Sequence, residues 1–334
     1  MNFINGKQLL EICSEKHIPI SQAMFLRETN YLEQDPVDVT RKMERAYDIM
    51  KQAIHRALTE DLISTGGMIG GESKQIDALR KAGKNICGPL VSKAIAYAVG
   101  VLEVNASMGL IVAAPTAGSS GVIPGVLCAA QEEYNMEDAV IIQALYTAAA
   151  VGYLITRNAT TAGAEGGCQA EVGSASAMAA AAMTQLMGGT PSQCLDAASF
   201  ALINILGLVC DPVGGLVEIP CQNRNAMGAS NALISAEIAL SGIQSVVPID
   251  EAIEVMYRVG RSLPVSLRET SQGGTATSPS ACHACRIKWK KPILYIKHYI
   301  FSRTAASINI KKLCINFINY RITSFLSPHH PHLP

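Results

Sequence analysis

Aromatic residues are scarce in this chain: they make up 5% of its 334 residues, with a single Trp. β-Sandwich cores lean on aromatic and β-branched side chains, so this shortage, beside abundant Ala, Gly and Met, points to close-packed helices with small contact residues. A second shortage is local. From Arg286 to Pro334 there is no Asp or Glu against nine Lys and Arg. The formal net charge of zero therefore conceals an acidic body, residues 1–285, with 18 basic and 27 acidic side chains. A negative surface repels a phosphate backbone, which excludes nucleic acid as an expected partner.

Other absences narrow the chemistry. No Gly-Lys-Ser/Thr phosphate loop and no dinucleotide fingerprint after a strand occur. "CHAC", Cys282 to Cys285, has no matching second pair, so a closed structural zinc site is not expected. The opening "MNFINGKQLLEICSEKHIPI" mixes charge into its first apolar run rather than forming a secretory leader, so a cytoplasmic location is expected. The uncharged stretch "AVIIQALYTAAAVGYLIT", Ala139 to Thr156, approaches the length needed to span a bilayer. A lone span without flanking topology signals is read as a buried helix, with no membrane partner. In a reducing compartment the ten cysteines are expected as thiols or ligands rather than disulfides.

What is present reads as helix broken by glycine. "NGKQLLEICSEKH" and "PVDVTRKMERAYDIMKQAIHRALTE" carry apolar residues at helical spacing, and Asp35-Pro36 offers a helix start. His17, Arg27, Glu28 and His55 in this region read as solvated face or rim. Two loops, "STGGMIGGESK" and "PTAGSSGVIPG", interrupt the apolar helices. Their glycines let backbone N–H groups converge on an anion such as a carboxylate, with Ser119 and Ser120 adding hydroxyls; helix-connecting turns are the plain alternative. The stretch "SLRETSQGGTATSPSACHAC" reads as a tail rather than a helix. The basic segment 286–334 holds seven of the 17 aromatic residues and reads as an adventitious or disordered extension, or as a peptide that touches a membrane or partner.

Three cysteines stand apart from the rest. Cys168, Cys210 and Cys221 each lie in a Gly- or Pro-containing loop beside polar groups: Glu165 and Gln169, Asp211, and Asn223-Arg224-Asn225. Buried thiols often fill core space as small hydrophobes. Three thiolates would alternatively leave one corner of a four-iron cluster open, and that corner would act as a Lewis acid.

"GAEGGCQAEVGSASAMAAAA", "CDPVGGLVEIPCQNRN" and "LRETSQGGTATSPSAC", together with the two glycine-rich loops, resemble the catalytic segments of iron–sulfur-dependent L-serine dehydratases in order and spacing. The resemblance covers about residues 1–285. It implies a mainly α, helical catalytic domain with Gly/Pro-rich active-site loops, followed by an atypical C-terminal extension, 286–334. It further implies the α chain of the two-subunit type, with a separate regulatory β subunit in an α/β heterodimer or higher oligomer. The implied cofactor is a [4Fe–4S] cluster held by Cys168, Cys210 and Cys221, with no pyridoxal phosphate. Cys282, with Cys285 close by, matches the family's tail cysteine, which occupies the open iron when substrate is absent.

The reaction so implied takes L-serine to pyruvate and ammonia. Ser119, Ser120 and Gly121 are candidates to hold the substrate carboxylate, and Asn223, Arg224 and Asn225 to supply polar contacts beside the open iron. Lys74 and His55 are candidates for the base that takes the α-hydrogen. Two other readings use the same thiols: an electron-transfer or sensor protein, and an aconitase-like hydroxy-acid dehydratase.

Overall fold

The computed structural model describes residues 1–288, and the mainly α expectation holds. Among these residues there are 13 α-helices and no β-strand. In order they are α1 (Gly6–Lys16), α2 (Ile20–Leu26), α3 (Pro36–Thr59), α4 (Glu72–Lys81), α5 (Gly88–Ala106), α6 (Val122–Tyr134) and α7 (Asp138–Asn158). They continue with α8 (Gly163–Gly166), α9 (Ser174–Leu186), α10 (Pro191–Ile203), α11 (Cys221–Leu240), α12 (Ile249–Ser262) and α13 (Pro279–Lys288). The extension beyond Lys288 lies outside the described residues.

Local sequence explains the boundaries. Asp35 caps α3 by accepting from the N–H groups of Val37 and Asp38, with Pro36 in the first turn. Thr190 and Gln193 form a reciprocal capping box before α10. The stretch read as a tail ends instead in α13: Pro279 suits a first helical position, and the Ser278 hydroxyl accepts from the Ala281 N–H at 3.4 Å.

At the centre lies α9, where every residue from Ser174 to Thr184 is buried. It packs against α6, α7, α10 and α11, which its run of alanines permits by keeping its diameter small. The apolar α7 is long enough to cross a bilayer, but 67% of its apolar window is buried in the protein, where it packs on α2 and α9. The close approach of α5 and α6 depends on glycine: a Cβ at Gly121 would lie 2.1 Å from the Ala98 carbonyl oxygen. That contact seats the loop before α6 directly on α5.

Arg27 and Glu28 are not rim residues. Their side chains pair at 2.9 Å in the interior, and the Arg27 guanidinium lies 4.0 Å from the Tyr153 ring centroid. Burial raises the Glu28 carboxyl, against the opposing pull of Arg27 and Gln34. The spacing of apolar residues does not separate these two from His17 and His55, which belong to the same amphipathic region and are exposed.

Candidate active site

The site is assembled where three chain segments converge on α9 and α11. Cys168 opens a π-turn, Gln169–Gly173, that runs into α9. Gln169 locks this turn to its surroundings: its amide oxygen accepts from the Gly207 N–H at 2.8 Å and its amide nitrogen donates to the Met256 carbonyl at 2.9 Å. The turn carries Glu171 to the same place as Cys168. The sulfurs of Cys168 and Cys210 and a carboxylate oxygen of Glu171 all lie within 4.8 Å of one another. Cys210 is fixed through its backbone, donating to Leu267 at 2.9 Å and accepting from the Glu269 N–H at 2.6 Å. Cys221 begins α11 and, like the other two, is buried.

Electrostatics separates the three thiols. A hydrogen bond from Cys210 lowers the Cys168 thiol pKa, and the Arg224 guanidinium adds to that against the cost of burial. Cys168 is therefore the most acidic thiol of the group. Cys210 is raised by the hydrogen bond it gives Cys168, by burial and by the charges of Cys168, Glu171 and Glu269. Cys221 is raised by burial first and then by the charges of Cys168 and Glu171. Burial opposes the charge of Arg224, but Cys168 and Asp211 outweigh it and hold its pKa above the usual value. Arg224 Nη1 donates to the Val209 carbonyl at 2.8 Å. Its Nη2 lies 2.8 Å from Asp211 Oδ1, a contact of charges rather than an aligned hydrogen bond.

Beside the thiols sits the loop that carries Ser119, Ser120 and Gly121. The fully buried Asn225 pins it: Oδ1 accepts from the Gly121 N–H at 2.9 Å, while Nδ2 donates to the Gly118 carbonyl at 2.8 Å and to the Cys221 carbonyl at 2.9 Å. Asn225 thus acts through the loop and ties it to Cys221. Ser119 Oγ pairs with Thr116 Oγ1 at 3.0 Å. Ser120 Oγ is buried without a hydrogen-bond partner, a donor left for a guest.

The other glycine-rich loop does hold a carboxylate, one belonging to the chain itself. Glu218 accepts from Ser64 Oγ at 2.7 Å, from the Gly66 N–H at 2.6 Å and from the Met68 N–H at 3.0 Å. This clamp fastens residues 64–68 to the segment leading into Cys221. Nearby, Gln222 Nε2 donates to Glu103 Oε1 at 3.1 Å and to Glu72 Oε2 at 3.3 Å. Burial raises the Glu103 carboxyl to about 7; the Ser73 N–H opposes the shift and Glu72 reinforces it.

The remaining expected residues are dispersed. Lys74 Nζ pairs with Asp61 Oδ1 at 2.7 Å, and His55 is exposed on α3. Asn223 is exposed at the start of α11. Cys282 is exposed on α13, its thiol 3.8 Å from the Ala276 carbonyl; the Cys285 side chain lies outside the described residues. Its helix nevertheless packs on the turn Val213–Gly215, close in sequence to Cys210. Glu171 was not anticipated, although Cys168 and Glu171 stand at the i, i+3 spacing that puts two side chains on one helical face. Glu218 and Glu103 carried no sequence signal, because each is held by a backbone N–H and by a partner more than a hundred positions away.

An all-helical body with buried thiols, a carboxylate and a pinned serine–glycine loop at one place defines a protein with a soft-ligand polar centre enclosed by helices. The particular kind follows from its relatives. Residues 15–276 match the family model described as serine dehydratase alpha chain, and the chain belongs to that family. It is 49% identical over 278 residues to the probable L-serine dehydratase alpha chain of Bacillus subtilis (strain 168), covering 83% of this chain and 92% of that one. Against the L-serine dehydratase alpha chain of Peptoniphilus asaccharolyticus the identity is 46% over 273 residues, 82% of this chain and 94% of the relative. The L-serine dehydratase of Helicobacter pylori (strain ATCC 700392 / 26695) is 37% identical over 281 residues, which span 82% of this chain and 61% of that longer protein.

Proposed function

We propose that this chain is the catalytic α chain of an enzyme that converts L-serine to pyruvate and ammonia, with Cys168, Cys210 and Cys221 holding a [4Fe–4S] cluster. The observation that carries the reading is the convergence of Cys168, Cys210 and Glu171 within 4.8 Å, in a chain of the serine dehydratase family. Buried sulfurs on separate segments, one with its thiol pKa lowered, make a soft donor set that fits iron–sulfur chemistry. A carboxylate beside them fits a centre with one corner free of cysteine. The cluster, when bound, supplies a Lewis-acidic iron to the substrate's β-hydroxyl.

The chain's own residues supply binding and orientation. The loop Gly118–Gly121, held in place by Asn225, receives the substrate carboxylate, with Ser120 Oγ as the donor awaiting a partner. Arg224 keeps positive charge beside Cys168 and adds to the lowering of its thiol pKa. The α-hydrogen leaves as a proton, the β-hydroxyl leaves as water, and the resulting enamine tautomerises to an imine that hydrolyses to pyruvate and ammonia. Lys74, paired with Asp61, and the exposed His55 are the candidates for the base that takes this proton. The naming of the bacterial relatives as alpha chains supports a separate β chain as partner, and the unpaired buried thiols suit a reducing compartment.

Anaerobic co-purification with the β chain, followed by a pyruvate assay on L-serine, tests the reading. Activity that is lost on exposure to air together with cluster absorbance is expected. An iron-replete complex that makes no pyruvate contradicts it, and turnover of hydroxy acids in place of serine points to the hydroxy-acid dehydratase.

A further inference from the structure

Two carboxyl groups stand together beside the start of α11. Glu103 of α5 is 1% exposed. Its Oε1 accepts from the Ser73 N–H at 3.0 Å and from Gln222 Nε2 at 3.1 Å, whereas its Oε2 is buried and receives no hydrogen bond. Its neighbour is Glu72, the first residue of α4, whose Oε2 accepts from the Gly70 N–H at 2.6 Å and from the same Gln222 amide at 3.3 Å. The two carboxyl groups hydrogen-bond one another. Ionised carboxylates only accept, so that bond needs a proton between them.

The arrangement of donors decides which group carries it. An oxygen that already accepts from two N–H groups is the poorer place for a proton, and Glu103 Oε2 accepts from none. Burial raises the Glu103 carboxyl to about 7, against the Ser73 N–H and with the help of Glu72. Glu72, despite its partial burial, is lowered by its hydrogen bonds with Glu103, Gly70 and Gln222. At about pH 6, then, Glu103 is the acid of the pair and Glu72 the carboxylate. The other charges around α5 are committed elsewhere: Lys74 of α4 pairs with Asp61 at 2.7 Å, Arg56 of α3 with Glu60 at 2.8 Å, Glu132 and Glu133 of α6 with Lys93 near the opposite end of α5, and Arg224 of α11 with Asp211 at 2.8 Å. The turn Ala117–Ser119 brings no charge, and Glu218 is held by the loop 64–68.

We propose that a proton held between Glu103 Oε2 and Glu72 is a latch that positions Cys221, the cluster ligand next to Gln222. This role rests on the cluster reading and adds to it the residues that set one ligand in place. Gln222 stands in the first turn of α11 and is buried, and its one amide nitrogen joins α4, α5 and α11. Through the Gly70 N–H the same pair holds the end of the glycine-rich loop. When Glu103 gives its proton to solvent, two carboxylates face each other in the interior. Glu72, the less buried of the two, then parts from Glu103, and Gln222 no longer bridges both. The start of α11 loosens with it. The latch is therefore closed below about pH 7, and iron is lost faster as pH rises through that value.

Iron release from the anaerobic complex with its β chain, followed with a ferrous-iron chelator between about pH 6 and about pH 8.5, tests this. Ligand thiolates become protonated toward low pH, which favours release in the opposite sense. Wild type is therefore read as a ratio to Glu103→Gln, which keeps a donor at this position and cannot ionise. The ratio is expected near unity at the acid end and at about fivefold or more at the alkaline end. Glu72→Gln, at a half-buried position, should behave as Glu103→Gln does, and it takes that variant's place if the latter fails to assemble. In a Gln222→Leu background, adding Glu103→Gln should alter the release rate by less than about twofold at any pH. A ratio that stays constant with pH, or a pH-dependent ratio that survives Gln222→Leu, overturns the proposal. A wild-type complex that binds no iron would instead sink the cluster reading, and one that binds iron but makes no pyruvate the serine reading.

Discussion

At the scale of single residues the account rests on buried thiols whose surroundings shift them in opposite directions. The hydrogen bond from Cys210 and the charge of Arg224 lower the Cys168 thiol, while burial and the nearby charges raise Cys221. Serine in place of Cys168, Cys210 or Cys221 should therefore cost bound iron and visible absorbance in each case, measured on anaerobically reconstituted protein. Asn225→Ala should act otherwise. It removes the amide that joins Gly118, Gly121 and Cys221, so KM for L-serine is expected to rise by about tenfold while iron content is retained. A variant with unchanged KM would deny the loop its binding role. The three cysteines were legible in the sequence because they sit in distinctive Gly/Pro-rich words. Glu171 carried a weaker signal, its i, i+3 spacing from Cys168, within a stretch that folds as a π-turn rather than a regular helix.

Helices and loops position these residues through buried carboxylates. Glu218 satisfies two backbone N–H groups and one hydroxyl of the loop 64–68. Glu218→Ala would leave those donors without an acceptor and should destabilise the protein by roughly 2–4 kcal/mol, read from denaturant melts. Glu103 gives a pH signature. Its carboxyl sits at about 7 in the folded chain against an ordinary value of 4.5, chiefly because it is buried. The folded state therefore binds this proton more tightly than the unfolded chain does. Its stabilising contribution is complete below about pH 4.5 and is lost as pH rises through about 7, by at most roughly 3 kcal/mol. Glu103→Gln, which stays neutral, should gain in melting temperature relative to wild type across that window and level off above it. A difference that does not vary with pH would contradict the assignment. The glycine-rich loops were readable as anion holders, but not the identity of the anion: hydrogen bonding between Glu218 and residues some 150 positions earlier is a tertiary fact. Arg27 and Glu28 teach the same lesson, for their pairing inside the helices outweighs a polarity that reads as surface.

For the whole molecule, composition was the most informative signal. Few aromatics and many alanines predicted an all-helical body, and the buried α9, with its close-packed neighbours, is what those alanines build. Composition could not order the helices, nor reveal that the C-terminal segment returns over the site, pairing Arg268 with Cys210 and seating α13 on Val213–Gly215. That return leaves Cys282 exposed on a helix that packs against Val213–Gly215. Cys282→Ala is expected to keep its cluster, which iron analysis checks; loss of iron would make Cys282 a permanent ligand and favour the electron-carrier reading. The central claim is that three cysteines leave one iron open to serine. Mössbauer spectra of the iron-57-loaded complex, recorded anaerobically with and without L-serine, test it most directly. The account predicts that one iron site of the cluster changes its parameters when L-serine is added while the others keep theirs. Spectra that are identical with and without L-serine would contradict it.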